Sequence, residues 1–389
     1  WMSAIYLNGG EQIVNIVDNV FNANRTALNL DDFSEAINVN RNIFEANGTH
    51  ISFGGTTPTD GSYTISANEF AVSGAVFNLS NVSPDFRLDA TDNTFDGNTP
   101  DKISMDDLLE LESLIWHKGK GNRNGFVRVL DGHVFVTPES GTLAQAIDVA
   151  EEGDTILVAE GTYVESLIIP SGKEGLVLKS VSGADATVID GNIALGADNI
   201  TIEGFTIGNS GARNGYVGLE GTDGSKITNN IINGSKATVS IGNTTGNTVD
   251  SVTIEGNTIN GGTIGLYPTS GSTITISNNT INSGNGEIIW IHGAEFKPTS
   301  LTLDIQGNIA IQEGDVITIH FKPVSINGVV DELDMISTIR NDNEPVEVVL
   351  GWVKTVGETG ADYETIQEAV SNVNEGDTIL VKAGTYTAD

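Results

Sequence analysis

The residues of this chain best suited to chemistry are carboxylates. They cluster at Asp31/Asp32, Asp89/Asp92/Asp96, Asp106/Asp107 and Glu151/Glu152. Two carboxyl groups about 5 Å apart can serve a retaining glycosidase, and two about 6.5–9.5 Å apart an inverting one. Oxygen-rich turns also suit calcium. Against both stands the abundance of acid: 52 of 389 residues are Asp or Glu, so neighbouring pairs arise by chance. Neither an Asp-x-Asp-x-Asp-Gly loop nor a Gly-Gly-x-Gly-x-Asp repeat is present. The expectation is no catalytic residue and no cofactor, with calcium at some turn left open and no metal ligand assigned.

The remaining chemistry-bearing residues point the same way. His50, His117, His133, His292 and His320 are scattered, without ligand spacing, and are expected in ordinary surface or wall positions. Trp116, Trp290 and Trp352 could stack on sugar rings, but each lies in an apolar string (LIW, IIWI, LGWV) that favours packing. Cysteine is absent, which excludes disulfides, thiol catalysis and Cys-based metal centres. The net charge of −34 argues against nucleic acid, whose phosphates need clustered Lys and Arg, and against an anionic membrane. No apolar run approaches the roughly 18 residues of a membrane span, so no membrane insertion is expected in this segment. The opening WMSAIYLNGG starts with Trp, and the true N-terminus is expected elsewhere.

What positions these residues is a repeat. An octet of the form Φ-x-Φ-x-x-N-x-Φ, Φ being apolar, returns as VNIVDNVF (14–21), INVNRNIF (37–44), YTISANEF (63–70) and LDATDNTF (88–95). It returns again as ITIEGFTI (200–207), SKITNNII (225–232), VTIEGNTI (252–259) and ITISNNTI (274–281), with LDIQGNIA (303–310) as a weaker last member. The motif asparagines Asn19, Asn42, Asn68 and Asn93 are spaced by 23, 26 and 25 residues. Phe205, Asn230, Asn257 and Asn279 are spaced by 25, 27 and 22. Alternating apolar residues read as half-buried strands. One octet cannot bury its apolar face alone, but a stack of octets can. The period, the Gly and Asn at corners and the lack of helical periodicity predict an all-β, right-handed parallel β-helix. Asn is expected at the corners because it tolerates left-handed backbone, and in a stack its amide can bond the Asn above and below.

A longer period contains the shorter one. Residues 141–166, GTLAQAIDVAEEGDTILVAEGTYVES, recur 223 positions later as ETIQEAVSNVNEGDTILVKAGTYTAD (364–389). Leu143, Ala146, Ile147 and Ala150 fall on one face of a short helix. Thr142 with Gln145, and Thr365 with Glu368, have capping-box spacing. Such a helix would cover the open end of a stack. A second helical stretch opens SMDDLLELESLIWHKGKGNRNG (104–125), and residues 311–355 look strand-rich.

The string from Thr142 to Glu165 resembles the N-terminal cap and first coil of the pectin-lyase-like right-handed β-helix superfamily. It is similar to pectin methylesterase-like and copper-accessory-type β-helix repeats, and to the caps that open modules of long bacterial surface and adhesin-like proteins. The resemblance implies tandem modules, each opened by a short capping helix. Residues 1–136 would be the C-terminal part of one module with its exit linker, 137–355 a complete module, and 356–389 the cap and first coil of a third.

The superfamily includes enzymes, and their strings are missing here. The aspartate pair, arginine and glutamines of pectin methylesterases appear in no family motif after either cap. Polygalacturonases would need Gly-His-Gly and Arg-x-Lys; Asp131–Gly132–His133 and His292–Gly293 come nearest and lack the companion string. Pectate lyases would need a catalytic base beside calcium-binding acids, yet Arg213 is the only arginine from 137 to Arg340. The expected function is a non-enzymatic structural or adhesive module of a large extracellular protein: a stalk, surface layer or filament subunit. The alternative is a carbohydrate-active or carbohydrate-binding β-helix protein. The expected partners are further copies of the module, in cis or end to end between chains, and a surface polysaccharide.

Overall fold

The computed structural model describes residues 3–10, 13–33, 36–55, 63–80, 82–118, 124–208, 215–243, 248–269, 271–282 and 287–291, then shorter stretches at 302–306, 308–310, 316–319, 325–326, 347–350, 353–357, 361–373, 377–382, 384 and 386. The chain forms two compact units, Trp1–Gly191 with Ile200–Thr206, and Asn192–Asn199 with Ile207–Asp389.

The first unit begins as a three-walled stack. One wall consists of Ser3–Gly10, Thr26–Phe33, Thr49–Gly54, Ala75–Ser80 and Ile115–Trp116. The second consists of Val14–Val17, Ile37–Asn40 and Tyr63–Ser66. The third consists of Val20–Asn22, Ile43–Glu45, Glu69–Phe70 and Thr94–Phe95. Every pairing is parallel, and like sits on like: Ile16 on Val39 on Ile65, and Phe21 on Phe44 on Phe70 on Phe95. Each octet therefore supplies two strands and the corner between them. Its first two apolar residues line the second wall, and its last lines the third. Because side chains alternate across a strand, a slip of one residue would turn the buried set outward, so the apolar pattern fixes the register.

The same unit continues past this stack. Helix α1 (Met105–Ser113), capped by Ser104, buries Leu108, Leu111 and Glu112. The strands His133–Val136, Thr155–Val158, Val177–Ser180 and Thr201–Glu203 then form a new parallel wall. Helix α2 (Leu143–Val149) lies between the first two of these strands in sequence and buries Leu143, Ala146, Ile147 and Val149. Its capping box is formed as expected, with Thr142 and Gln145 exchanging hydrogen bonds. Phe135 and Leu157 share one core with Phe53, Phe86 and Val127, and this core begins at Ile16.

In the second unit, Lys226–Thr228, Thr253–Glu255, Thr273–Ser277, Thr302–Gln306 and Ser325–Ile326 form one parallel wall, with Ile227, Ile254, Ile276 and Ile305 in register. Opposite it run Ile231–Gly242 and Thr258–Leu266, followed by Thr280–Asn282, Glu287–Ile291, Val316–Ile319 and Glu347–Leu350. Val353–Val356 pairs with Thr378–Val381, and α3 (Ile366–Asn372), capped by Thr365, lies between them in sequence.

This is the all-β, right-handed parallel β-helix that the repeat predicts, with a short helix opening the repeated segment; the hand is the one that parallel crossovers take. Ile37, Val39, Ile65, Ile200, Ile202, Val252, Ile254, Ile274 and Ile276 are buried as expected, as is Ile16. Val14 is only half-buried, because it lies on an edge strand. Among the described residues, no helix is long and apolar enough to cross a membrane.

The corner chemistry differs from expectation in one respect. The motif asparagine is not the residue in left-handed backbone. That conformation belongs to the residue before it: Asp18, Arg41, Ala67, Asn229 and Asn278, and Gly256 before Asn257. The asparagine side chain is needed elsewhere.

Candidate functional site

The polar groups inside the stack form ladders. Asn42 Oδ1 accepts from the backbone N–H and the side-chain amide of Asn19, both at 3.0 Å. Asn68 accepts the same two bonds from Asn42, at 2.9 and 3.0 Å, and Asn93 accepts both from Asn68 at 3.0 Å. Each inner amide also donates to a carbonyl on the coil below, as Asn68 does to Val39 at 2.8 Å. The left-handed residues Asp18, Arg41 and Ala67 each donate to a backbone carbonyl of the next coil, and the N–H of the asparagine that follows each of them meets the next amide oxygen. A second ladder joins Asn230, Asn257, Asn279 and Asn308. Beside the first ladder, Phe21, Phe44, Phe70 and Phe95 stack with ring centroids 5.0, 4.8 and 5.7 Å apart. These groups tie coil to coil.

Two histidines are buried: His50, in the wall strand Thr49–Gly54, and His117, just after the strand Ile115–Trp116. His50 packs against the stacked rings of Phe44 and Phe70, with Nε2 2.8 Å from the Ala71 carbonyl and Nδ1 3.2 Å from the Asn47 amide. Burial pushes its imidazole below the ordinary value, against a smaller opposing effect of the Ala71 carbonyl. His117 joins Glu112 and Lys118 in a buried cluster that no motif announces. Its Nε2 is 2.9 Å from Glu112 Oε1 and 2.9 Å from Lys118 Nζ, and Lys118 Nζ touches Glu112 Oε1. The only hint in the sequence is a charged pair following an amphipathic helix, and that pattern is ordinary on a surface.

Among the described residues the carboxylate sets form no metal-ligand group, and Asp96 and Asp107 line one cavity with Lys102 and Glu110. Asp89 accepts from Thr91, Asp96 accepts from the Val72 N–H, and Asp92 is exposed. Asp106 and Asp107 occupy the first turn of α1, where Ser104 bonds Asp107. Glu151 and Glu152 are exposed on the turn before Thr155–Val158. Asp31 is half-buried, and the Asp32 side chain lies outside the described residues. Two other carboxylates hold the framework together. The buried Asp154 takes Arg128 at 2.8 and 3.3 Å and also accepts from the Glu151 N–H. Glu165 accepts the first two N–H groups of α2, from Leu143 and Ala144, at 2.8 and 3.1 Å.

His133 is half-buried and bonds the Asp131 carbonyl at 2.8 Å. Trp116 points outward from its strand, because alternation places Ile115 in the bore. Trp290 is half-buried against Tyr267, the rings edge to face at 5.4 Å. Arg213, His292, His320, Arg340 and Trp352 lie outside the described residues. Among the described residues, no three His, Asp or Glu side chains come together as a metal site would require.

Residues 147–318 match the model of the NosD family, described as periplasmic copper-binding protein. The match covers less than half of the chain. Neither curated proteins nor solved structures gave a match. The matched segment contains a single histidine, His292, and neither cysteine nor methionine. Copper sites are built from imidazole, thiolate and thioether. The donors of this segment do not fit the metal that the family's description names.

Proposed function

We propose that this chain is a non-enzymatic structural module of an extracytoplasmic surface protein. The observation that carries the reading is the repeat of one construction. A Thr-capped helix opens a parallel strand at Thr155–Val158 and again at Thr378–Val381. Tyr163 donates to the Ala159 carbonyl, and Tyr386, 223 positions later, to the Lys382 carbonyl. Buried asparagine ladders lie inside the coils. A tandem of self-similar coils provides length and surface, and its stability is a sum over neighbouring repeats. The periplasmic description of the matched family supports a place outside the cytoplasm. Further copies of the module, in cis or from another chain, are the partners that such a repeat accepts.

A second reading, polysaccharide binding, rests on Trp116, whose outward face could stack on a sugar ring. The test uses the full chain. Incubated with polygalacturonate and related polysaccharides, it should release no product above a heat-treated control. After desalting from Cu(I) or Cu(II), it should retain no stoichiometric metal. Product release, or one tightly held copper per chain, would overturn the proposal. Retention on an immobilised polysaccharide that Trp116→Ala abolishes would favour the second reading.

A further inference from the structure

Glu112, His117 and Lys118 form the one group of mutually touching acid, imidazole and amine side chains among the described residues whose members are all buried, with 2%, 0% and 0% of their side chains exposed. They lie at the exit of the first stack. Glu112 is on α1, and His117 and Lys118 directly follow the strand Ile115–Trp116. Lys118 Nζ also donates to the Phe135 carbonyl at 3.1 Å. Neither asparagine ladder involves these residues.

The hydrogen bonds fix the protons. The Val127 N–H donates to His117 Nδ1 at 3.0 Å, so that nitrogen is unprotonated. The neutral ring then carries its hydrogen on Nε2. That N–H sits 2.9 Å from both Glu112 Oε1 and Lys118 Nζ. Toward the carboxyl it donates. Toward Lys118 it opposes an ammonium but suits a neutral amine, whose lone pair can accept. An ammonium with a carboxylate and an amine with a carboxylic acid contain the same protons. Removal from water disfavours the charged version. Burial raises the affinity of Glu112 for the proton, and the Lys118 charge with the hydrogen bonds from His117 and Lys118 prevails in lowering it, so the neutral pair is the minor form. A minor form is enough for a reaction that need occur only once per chain.

We propose that Glu112 and Lys118 become joined by an intramolecular amide bond, with His117 carrying the proton. Lys118 Nζ attacks Cδ of the protonated Glu112 carboxyl and a C–N bond forms. Oε1 is the oxygen that carries the carboxyl hydrogen. His117 relays the second proton in a concerted step: Nε2–H passes to the Oε1 hydroxyl as an Nζ hydrogen passes to Nε2, so the ring stays neutral, the C–Oε1 bond breaks, and one water leaves. An acid and an amine thus give an amide and water, and no oxidant, metal or co-reactant is consumed. Burial then protects the product from hydrolysis. The bond fastens α1 to the chain just after Ile115–Trp116.

The test is the intact mass of the purified full chain under denaturing conditions, after prolonged incubation folded at neutral pH. The expected mass is one water below the sequence mass. Fragmentation should place the loss in a peptide linking Glu112 to Lys118. Lys118→Met should restore the full mass, and His117→Gln should slow the loss. Wild-type chain that keeps its full sequence mass would overturn the proposal and leave a buried ion pair. So would a water loss that fragmentation places elsewhere, such as at Asp131–Gly132, or one that persists in Lys118→Met. The wild-type mass and its fragments decide the matter even if a variant fails to fold.

Discussion

Asn68 shows what one residue contributes to the stack. Its oxygen accepts two bonds from Asn42, and its amide donates to Val39, Ser66 and Asn93. Asn68→Ala removes the acceptor for the buried Asn42 N–H, and each orphaned buried group costs about 1–3 kcal/mol. The urea midpoint should fall markedly, whereas Asn19→Ala, on an exposed corner, should change it much less. His50 supplies a pH dependence. Its Nε2–H donates to Ala71 and its Nδ1 accepts from Asn47, so protonation at Nδ1 would set one donor against another. Burial holds the folded imidazole below its ordinary value of 6.5. As pH falls, the unfolded chain therefore takes up the proton first. The contribution is fully present above about pH 6.5 and is lost as pH falls toward the folded value. Unfolding free energy measured from about pH 7.5 down to about 5.5 should decline in the wild type. In His50→Gln the decline should be smaller; an equal decline would place its origin in another group.

At the scale of elements, the octets were legible because every strand repeats the same alternation. Ile16, Val39 and Ile65 are apolar at matching positions, and only a parallel stack buries all three. The short helix Leu143–Val149 was legible because Thr142 and Gln145 state a helix start in four residues. The Glu112–His117–Lys118 cluster was not. Its members meet only because α1 and the strand after it fold back onto each other, and local pattern contains no signal for that. Trp116 was misplaced for a related reason: its string is apolar throughout, and only pairing with Asn78 settles which residue faces out. Glu165 also escaped notice. It lies 21 and 22 residues from the N–H groups it accepts, so the capping box was read and the carboxylate that completes it was not. Glu165→Ala should destabilise the first lid by about 1–2 kcal/mol, the usual cost of a lost helix cap. Amide exchange within Leu143–Val149 should quicken while the coils of Ile37–Phe70 keep their protection. Uniform quickening would mean that the lid and the coils open together.

For the whole molecule, the informative comparison is between the two copies of one segment. Val134, Phe135 and Val136 pair with Ile156, Leu157 and Val158. Lys354, Thr355 and Val356 pair with Ile379, Leu380 and Val381 in the same register. The first copy is also paired on its other side, with Val177–Ser180, and Ile156, Leu157 and Val158 are all buried. In the second copy Ile379 and Leu380 are half-buried, and Val381 is 40% exposed. Val370 on α3 is 57% exposed, while its counterpart Ile147 on α2 is buried. In the first copy the strand that follows, Val177–Ser180, completes the burial. Full burial of an aliphatic side chain is worth about 1.5–3 kcal/mol, so a coil placed after Val381 should stabilise the second copy. A chimera tests this: residues 159–191 placed after Val381, in place of residues 382–389. Amide protons of Leu380 and Val381 should then exchange as slowly as those of Leu157 and Val158, and the melting temperature should rise. If the chimera folds and those amides exchange no more slowly than in the parent chain, the two segments are alike in sequence but not in what they nucleate, and the tandem reading of the molecule fails with them.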